Sequence, residues 1–202
     1  MEDSPGCPRH YSPVVVHESP SWTQKNLTGI ARQLKDNSAD LYNCVQRWNQ
    51  HHLAGMKVLN NIRDLKCSAI EKKAENLDLY PEGLQKLCYT LSDLFDQMSE
   101  EVNLLKVINK QYEALQKLQD LKENYEPVFM TWQLHHFVEV SRDVAESYEK
   151  QLELNNYTKE NIAFSTNPDS IDFYRISWLY QPLIDENLDF QIESLLKETG
   201  LK

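Results

Sequence analysis

The 202 residues are 41% hydrophobic and 26% charged, a balance that belongs to a folded protein of one domain or two small ones and excludes wholesale disorder. Net charge is -10, and most of the excess is late, with six Lys+Arg against fourteen Asp+Glu in residues 126–202. Because Lys and Arg form no cluster, direct contact with DNA, RNA or an anionic membrane is not expected.

Residues 1–21, "MEDSPGCPRHYSPVVVHESPS", read as a disordered Ser-Pro-rich tail, in which Ser4, Ser12 and Ser19 each precede a proline and are candidate phosphorylation sites. From Trp22 to about Lys73, apolar residues recur with a seven-residue repeat through Ile30, Leu34, Leu41, Val45, Trp48, Leu59, Ile62 and Leu65, which predicts a long amphipathic helix. Asn37, Cys44, His51 and Gly55 interrupt its seam. A glycine inside a helix costs roughly 1 kcal/mol against alanine, so Gly55 marks a close approach or a break. After "LYPEG", a second helix is predicted from about Glu82 to Asn124, on Leu84, Leu87, Leu91, Leu94, Met98, Leu105, Ile108, Tyr112 and Leu115. The two pair as an antiparallel hairpin whose remaining apolar stripe needs cover from the third segment or from a partner.

A third helix is predicted from near Thr131 to about Phe164, a short one over Ser170 to Tyr180 ended by Pro182, and a last one from Leu188 to Thr199 closed by Gly200. No stretch alternates long enough for a strand. The fold class is therefore all-α, with the tail at 1–21, the hairpin at 22–125 and a smaller acidic, aromatic-rich helical module at 126–202. Twelve of the twenty aromatics lie after Asn124. Trp132, Phe137, Tyr148, Trp178 and Phe190 are read as core, with Trp178 also a candidate partner contact beside the acidic Asp185, Glu186 and Asp189.

Chemistry-bearing patterns are scarce. The five glycines are each more than twenty residues from the next, which excludes a phosphate-cradling glycine loop. Cys7, Cys44, Cys67 and Cys88 form no Cys-x-x-Cys pair, and no basic segment leads into a long apolar run, so the chain reads as intracellular, without signal peptide or membrane span. In "TWQLHHFVEVS" (Thr131 to Ser141), His135 and His136 point about 100° apart on a helix and cannot both ligate one metal, while Glu139 lies one turn from each. A Glu-x-x-His site needs a second copy, and none occurs. A local His–Glu hydrogen bond or a packed helix start is expected instead. No cofactor, metal or catalytic residue is expected.

Several stretches resemble one family. "ARQLKDNSADLYNCVQRWNQHHLAGMKVLNNIRDLK" (Ala31 to Lys66) is similar to the N-terminal helix of the cyclin-dependent kinase 2-interacting protein family in Lys35-Asp36-Asn37, Trp48, Ala54-Gly55 and Asn60-Asn61-Ile62. Thr131-Trp132 with His136-Phe137 through Ser141, "SWLYQP" (Ser177 to Pro182) and "ESLLKETG" (Glu193 to Gly200) resemble its later motifs in the same order. The resemblance spans about two thirds of the chain, with Cys67 to Glu126 matching only as a leucine-rich helix. It implies a nuclear, non-enzymatic adaptor that contacts a cyclin-dependent kinase and a replication-initiation kinase and supports the ATR checkpoint complex in DNA damage signalling. It also implies association with AAA ATPase subunits in a chromatin-associated assembly for replisome protein turnover and ribosome maturation. The alternative reading is a structural coiled-coil subunit of another multiprotein complex; an enzyme with an unfamiliar helical site would need a pocket of convergent titratable groups.

Overall fold

The computed structural model describes residues 27, 29–71, 80–123 and 126–202; Ser4, Ser12 and Ser19 and the expected tail lie outside them. Among the described residues there are five α-helices and no strand: α1 (Gly29–Glu71), α2 (Leu84–Asp120), α3 (Leu134–Asn161), α4 (Pro168–Tyr180) and α5 (Glu186–Glu198). None of these helices is long and apolar enough to cross a membrane.

The seven-residue repeats of α1 and α2 meet face to face. Ser38 and Tyr112 share a hydroxyl hydrogen bond of 2.7 Å, and Arg47 donates to both oxygens of Glu101 at 2.7 and 2.8 Å. Early α1 thus lies beside late α2, the antiparallel register of a hairpin. The third segment covers the hairpin's open stripe. α3 runs antiparallel to α2, with Ser141 donating to Asn109 at 2.7 Å and Lys106 paired to Glu149 at 2.5 Å. Further along, the Lys159 ammonium sits over the Phe95 ring. α3 therefore runs alongside α1, and the two meet where Trp48 and Tyr148 pack edge to face, centroids 5.1 Å apart. At the far end the buried Lys66 ammonium donates to the Ala163 carbonyl just past α3, and burial lowers its pKa below the ordinary lysine range.

Local signals set the helix ends. α4 begins two residues before its predicted start because Pro168 occupies the first turn, where its missing N–H costs nothing, while the Asn167 side chain accepts from Asp169 N. α5 also starts two residues early, capped by Asp185, whose carboxylate accepts from Leu188 N at 2.8 Å. Gly200, at φ +64°, closes α5 as expected: its N–H reaches Lys197 O, and Leu201 N–H reaches Leu196 O. α3 stops at Asn161, short of the predicted Phe164.

One hydrophobic core joins side chains from α1, α2, α3 and α5 with Trp178 of α4. Phe137, Tyr148 and Trp178 lie in it, and Trp132 packs partly against it. Phe190 does not: it is 68% exposed, because α5 turns Leu188, Ile192, Leu195 and Leu196 inward and a residue two positions from Leu188 falls on the opposite side.

Gly55 is a close approach rather than a break, since α1 continues through it. A Cβ there would meet the Trp178 ring at 2.5 Å. Alanine normally gains roughly 1 kcal/mol over glycine inside a helix. Here Gly55→Ala is expected to destabilise by about 1–3 kcal/mol in denaturant melts, and to become stabilising in a Trp178→Ala background, which removes the obstruction. A stabilising effect in the wild-type background would contradict the close packing.

Candidate interaction surface

The motifs that carry the family resemblance turn out to grip one another. Trp178 of "SWLYQP" is 0% exposed; its indole N–H donates to the His52 carbonyl of α1 at 3.2 Å, and its ring faces Gly55. Three residues on, Gln181 takes a left-handed backbone conformation at φ 44°, uncommon for a residue with a side chain, and ends α4 ahead of Pro182. Its Oε1 accepts from the Trp48 indole at 2.6 Å. That buried bond offsets the backbone cost, and the chain turns back so that Leu183 N–H reaches Gln151 Oε1 of α3.

The opening of α3 is held by the far end of the chain. Glu198 of "ESLLKETG" accepts from the backbone N–H groups of Met130, Thr131 and Trp132, and its second oxygen accepts from the Thr131 hydroxyl. Burial pushes the Glu198 carboxyl up, but the backbone N–H groups of Trp132, Thr131 and Met130 and the Thr131 hydroxyl outweigh it, so it titrates below its usual range. The Thr-Trp motif is thus an anchored helix entry.

His135 and His136 lie at that entry with ring centroids 4.0 Å apart, and His136 rests near Trp132. Of the two expected arrangements, these ring contacts at the helix start are present and the His–Glu bond is not; Glu139 is exposed. No group of His, Cys, Asp or Glu among the described residues is arranged to hold a metal ion. Burial pushes the Cys44 thiol up to about 12 against the opposing pull of Arg47, and also raises Cys67 and Cys88. A thiol held protonated at neutral pH is a poor nucleophile.

What these helices leave uncovered is apolar. α4 buries Ile171 and Trp178, seven residues apart, and turns Phe173, Ile176 and Tyr180 the other way, with Leu183 following in the next loop; all four are exposed. Tyr174 at the border touches Tyr157 of α3 and Phe173. Acids frame the stripe: Asp169 in the first turn of α4, and Asp185 and Glu186 at the start of α5 are exposed, with Asp189 half-buried. The nearby cations are already engaged, as Asp172 accepts from Arg63 at 3.0 Å and from Arg175 at 3.2 Å.

The residues named from sequence therefore separate. Trp178 is an interior wedge. Asp185 has a capping duty, and Glu186 and Asp189 sit in the first turn of α5, where negative charge complements the helix dipole. Phe173, Ile176 and Tyr180, the exposed stripe itself, carry no role in the sequence reading beyond their place in the short helix. The signal was present in the sequence: apolar residues at 171, 174 and 178 on one side and at 173, 176 and 180 on the other make a short helix apolar on two faces.

The Glu198 anchor has a pH signature. A carboxyl whose folded pKa lies below the unfolded value of about 4.3 contributes stability that is present above that value and lost as pH falls through the folded pKa. Glu198→Gln is expected to cost about 1.5–3 kcal/mol at neutral pH and to flatten the acid limb of the stability curve, read by thermal melts between about pH 3 and pH 7.

No family model matches the chain. Among individual proteins, it is similar to the human cyclin-dependent kinase 2-interacting protein, 31% identical over 193 residues that span 86% of this chain and 91% of the human one. The mouse protein of that name is 30% identical over 194 residues, and the Xenopus laevis protein 27% over 188 residues, each match covering the same shares. With most of both chains aligned, this protein belongs to the cyclin-dependent kinase 2-interacting protein family.

Proposed function

We propose that the protein is a non-enzymatic adaptor that binds a cyclin-dependent kinase through the outer face of α4. The observation that carries this reading is the exposed stripe of Phe173, Ile176, Tyr180 and Leu183 with its acidic frame of Asp169, Asp185 and Glu186. Aromatic and aliphatic side chains that a fold leaves in water, surrounded by charge, have the make-up of a contact patch with a polar rim. The acidic rim selects a basic partner surface and speeds encounter. The relatives' name supplies the class of partner. A nuclear setting, contact with a replication-initiation kinase, support of the ATR checkpoint complex, and membership of an AAA ATPase assembly that serves replisome turnover and ribosome maturation extend the same proposal, and rest on the family resemblance.

The test compares two variants in binding to purified cyclin-dependent kinase 2. Phe173→Ala with Tyr180→Ala removes two exposed rings, and is expected to weaken binding by about 2 kcal/mol or more while leaving the melting temperature nearly unchanged. Glu186→Lys with Asp185→Ser keeps a capping side chain and removes the rim charge; it is expected to slow association several-fold at low salt, with the difference fading as salt rises. If neither change alters kinase binding, α4 is not the contact face.

A further inference from the structure

A second uncovered face lies on α2 and its C-cap residue, where Leu104, Val107, Gln111, Ala114 and Leu118 of the helix and Leu121 at the cap are all exposed. Their spacing alternates three and four residues over two and a half heptads, the pattern of a coiled-coil seam. This seam is separate from the one that faces α1 and α3, which uses Val102, Leu105, Ile108, Tyr112 and Leu115. α2 therefore carries two stripes, and the described residues cover one. From Leu104 to Leu121 the open stripe is ~26 Å long at ~1.5 Å per residue, the span of an added helix of about five turns.

Charge indicates what covers it. Lys110 and Lys117, seven residues apart and both exposed, flank the stripe on one side and have no acidic partner among the described residues; at its end Lys122 lies between the exposed Asp120 and Glu123, so the basic flank consists of the two lysines. The other flank is formed by Ile108 and Leu115, which are buried in the core. In a protein of net charge -10 this is a local basic edge. A second copy of the chain fits poorly. Antiparallel pairing would set Lys110 and Lys117 against the same two lysines, and parallel pairing would set them against residues already buried. The first 26 residues, outside the described part, carry Pro5, Pro8, Pro13 and Pro20, so they offer no proline-free run before Pro20 long enough for five turns.

We infer that the Leu104–Leu121 stripe of α2 is a docking seam for an amphipathic helix of another protein, with apolar residues on its inner face and acidic residues on the flank that meets Lys110 and Lys117. Gln111 lies at a central seam position and sets the register, since a polar residue there is best satisfied by a polar residue of the incoming helix. The seam stands independently of kinase binding by α4, and the two would let one chain hold two proteins.

The probe is a designed 21-residue helical peptide with leucine along its seam, one central asparagine to meet Gln111, and glutamate on both flanks; a second peptide carries lysine instead. Binding to the full chain is followed by fluorescence anisotropy, and the chain alone by sedimentation. The glutamate peptide is expected to bind about tenfold more tightly than the lysine peptide, and Lys110→Glu with Lys117→Glu is expected to invert the preference. Val107→Glu with Leu118→Glu changes only exposed side chains, and is expected to abolish binding with an unchanged melt. Absence of binding by either peptide, equal binding of both, or binding that survives the Val107 and Leu118 changes would overturn the seam. A dimer of the chain alone that Leu118→Glu dissociates would overturn the choice of occupant in favour of a second copy.

Discussion

The fold depends on one contact: the Trp178 ring set against the backbone of α1 at Gly55. A large indole reaches a helix backbone only where there is no Cβ, and α1 supplies that gap in the middle of a 43-residue helix, accepting the roughly 1 kcal/mol that glycine costs there. The indole N–H lands on the His52 carbonyl, and one turn earlier the α1 residue Trp48 binds Gln181 just after α4. Two indoles, one from each side, thus fix the position of α4 and the exit angle of the chain toward α5. α5 then carries Glu198 back to the entry of α3.

Much of the surface chemistry follows from that docking. α4 is only 13 residues long and spends one face on α1 and α3, and among the described residues its other apolar face stays exposed. The acids around it belong to helix starts, where negative charge is favourable next to unpaired N–H groups. The same carboxylates that begin α4 and α5 form the rim of the exposed patch. In the proposed contact, stability and recognition are therefore partly entangled at Asp185 and separable at Phe173 and Tyr180.

The open stripe of α2 has a different origin. In a three-helix arrangement the middle helix contacts both neighbours along adjacent faces, and α2 uses its Leu84, Leu91, Met98, Leu105, Tyr112 and Leu115 side for this purpose. Its second repeat begins near Leu104, and nothing among the described residues packs on it. Local apolar content in excess of what the fold buries is what distinguishes a helix built to be shared from one built only to support its own core.

Periodicity and punctuation alone determined the helical class, the five segments, the antiparallel pairing of the first two and the glycine close to α5, because seven-residue repeats, prolines and a terminal glycine act within a few residues of themselves. They also marked Gly55 as a close approach or a break, and only the packing of Trp178 on a continuous α1 decided for the approach. Tertiary structure decided what met it: no local rule joins Gly55 to Trp178, or Glu198 to Thr131, across more than sixty residues. Phe190 and Trp178 are both aromatic residues at helical spacing, yet one is in solvent and the other fully enclosed. Which side of a two-faced helix turns inward is set by the shape of the neighbour it meets. The exposed apolar face of α4 was therefore legible in the sequence only as a surplus of apolar residues, and its location waited on the packing of α4 against α1.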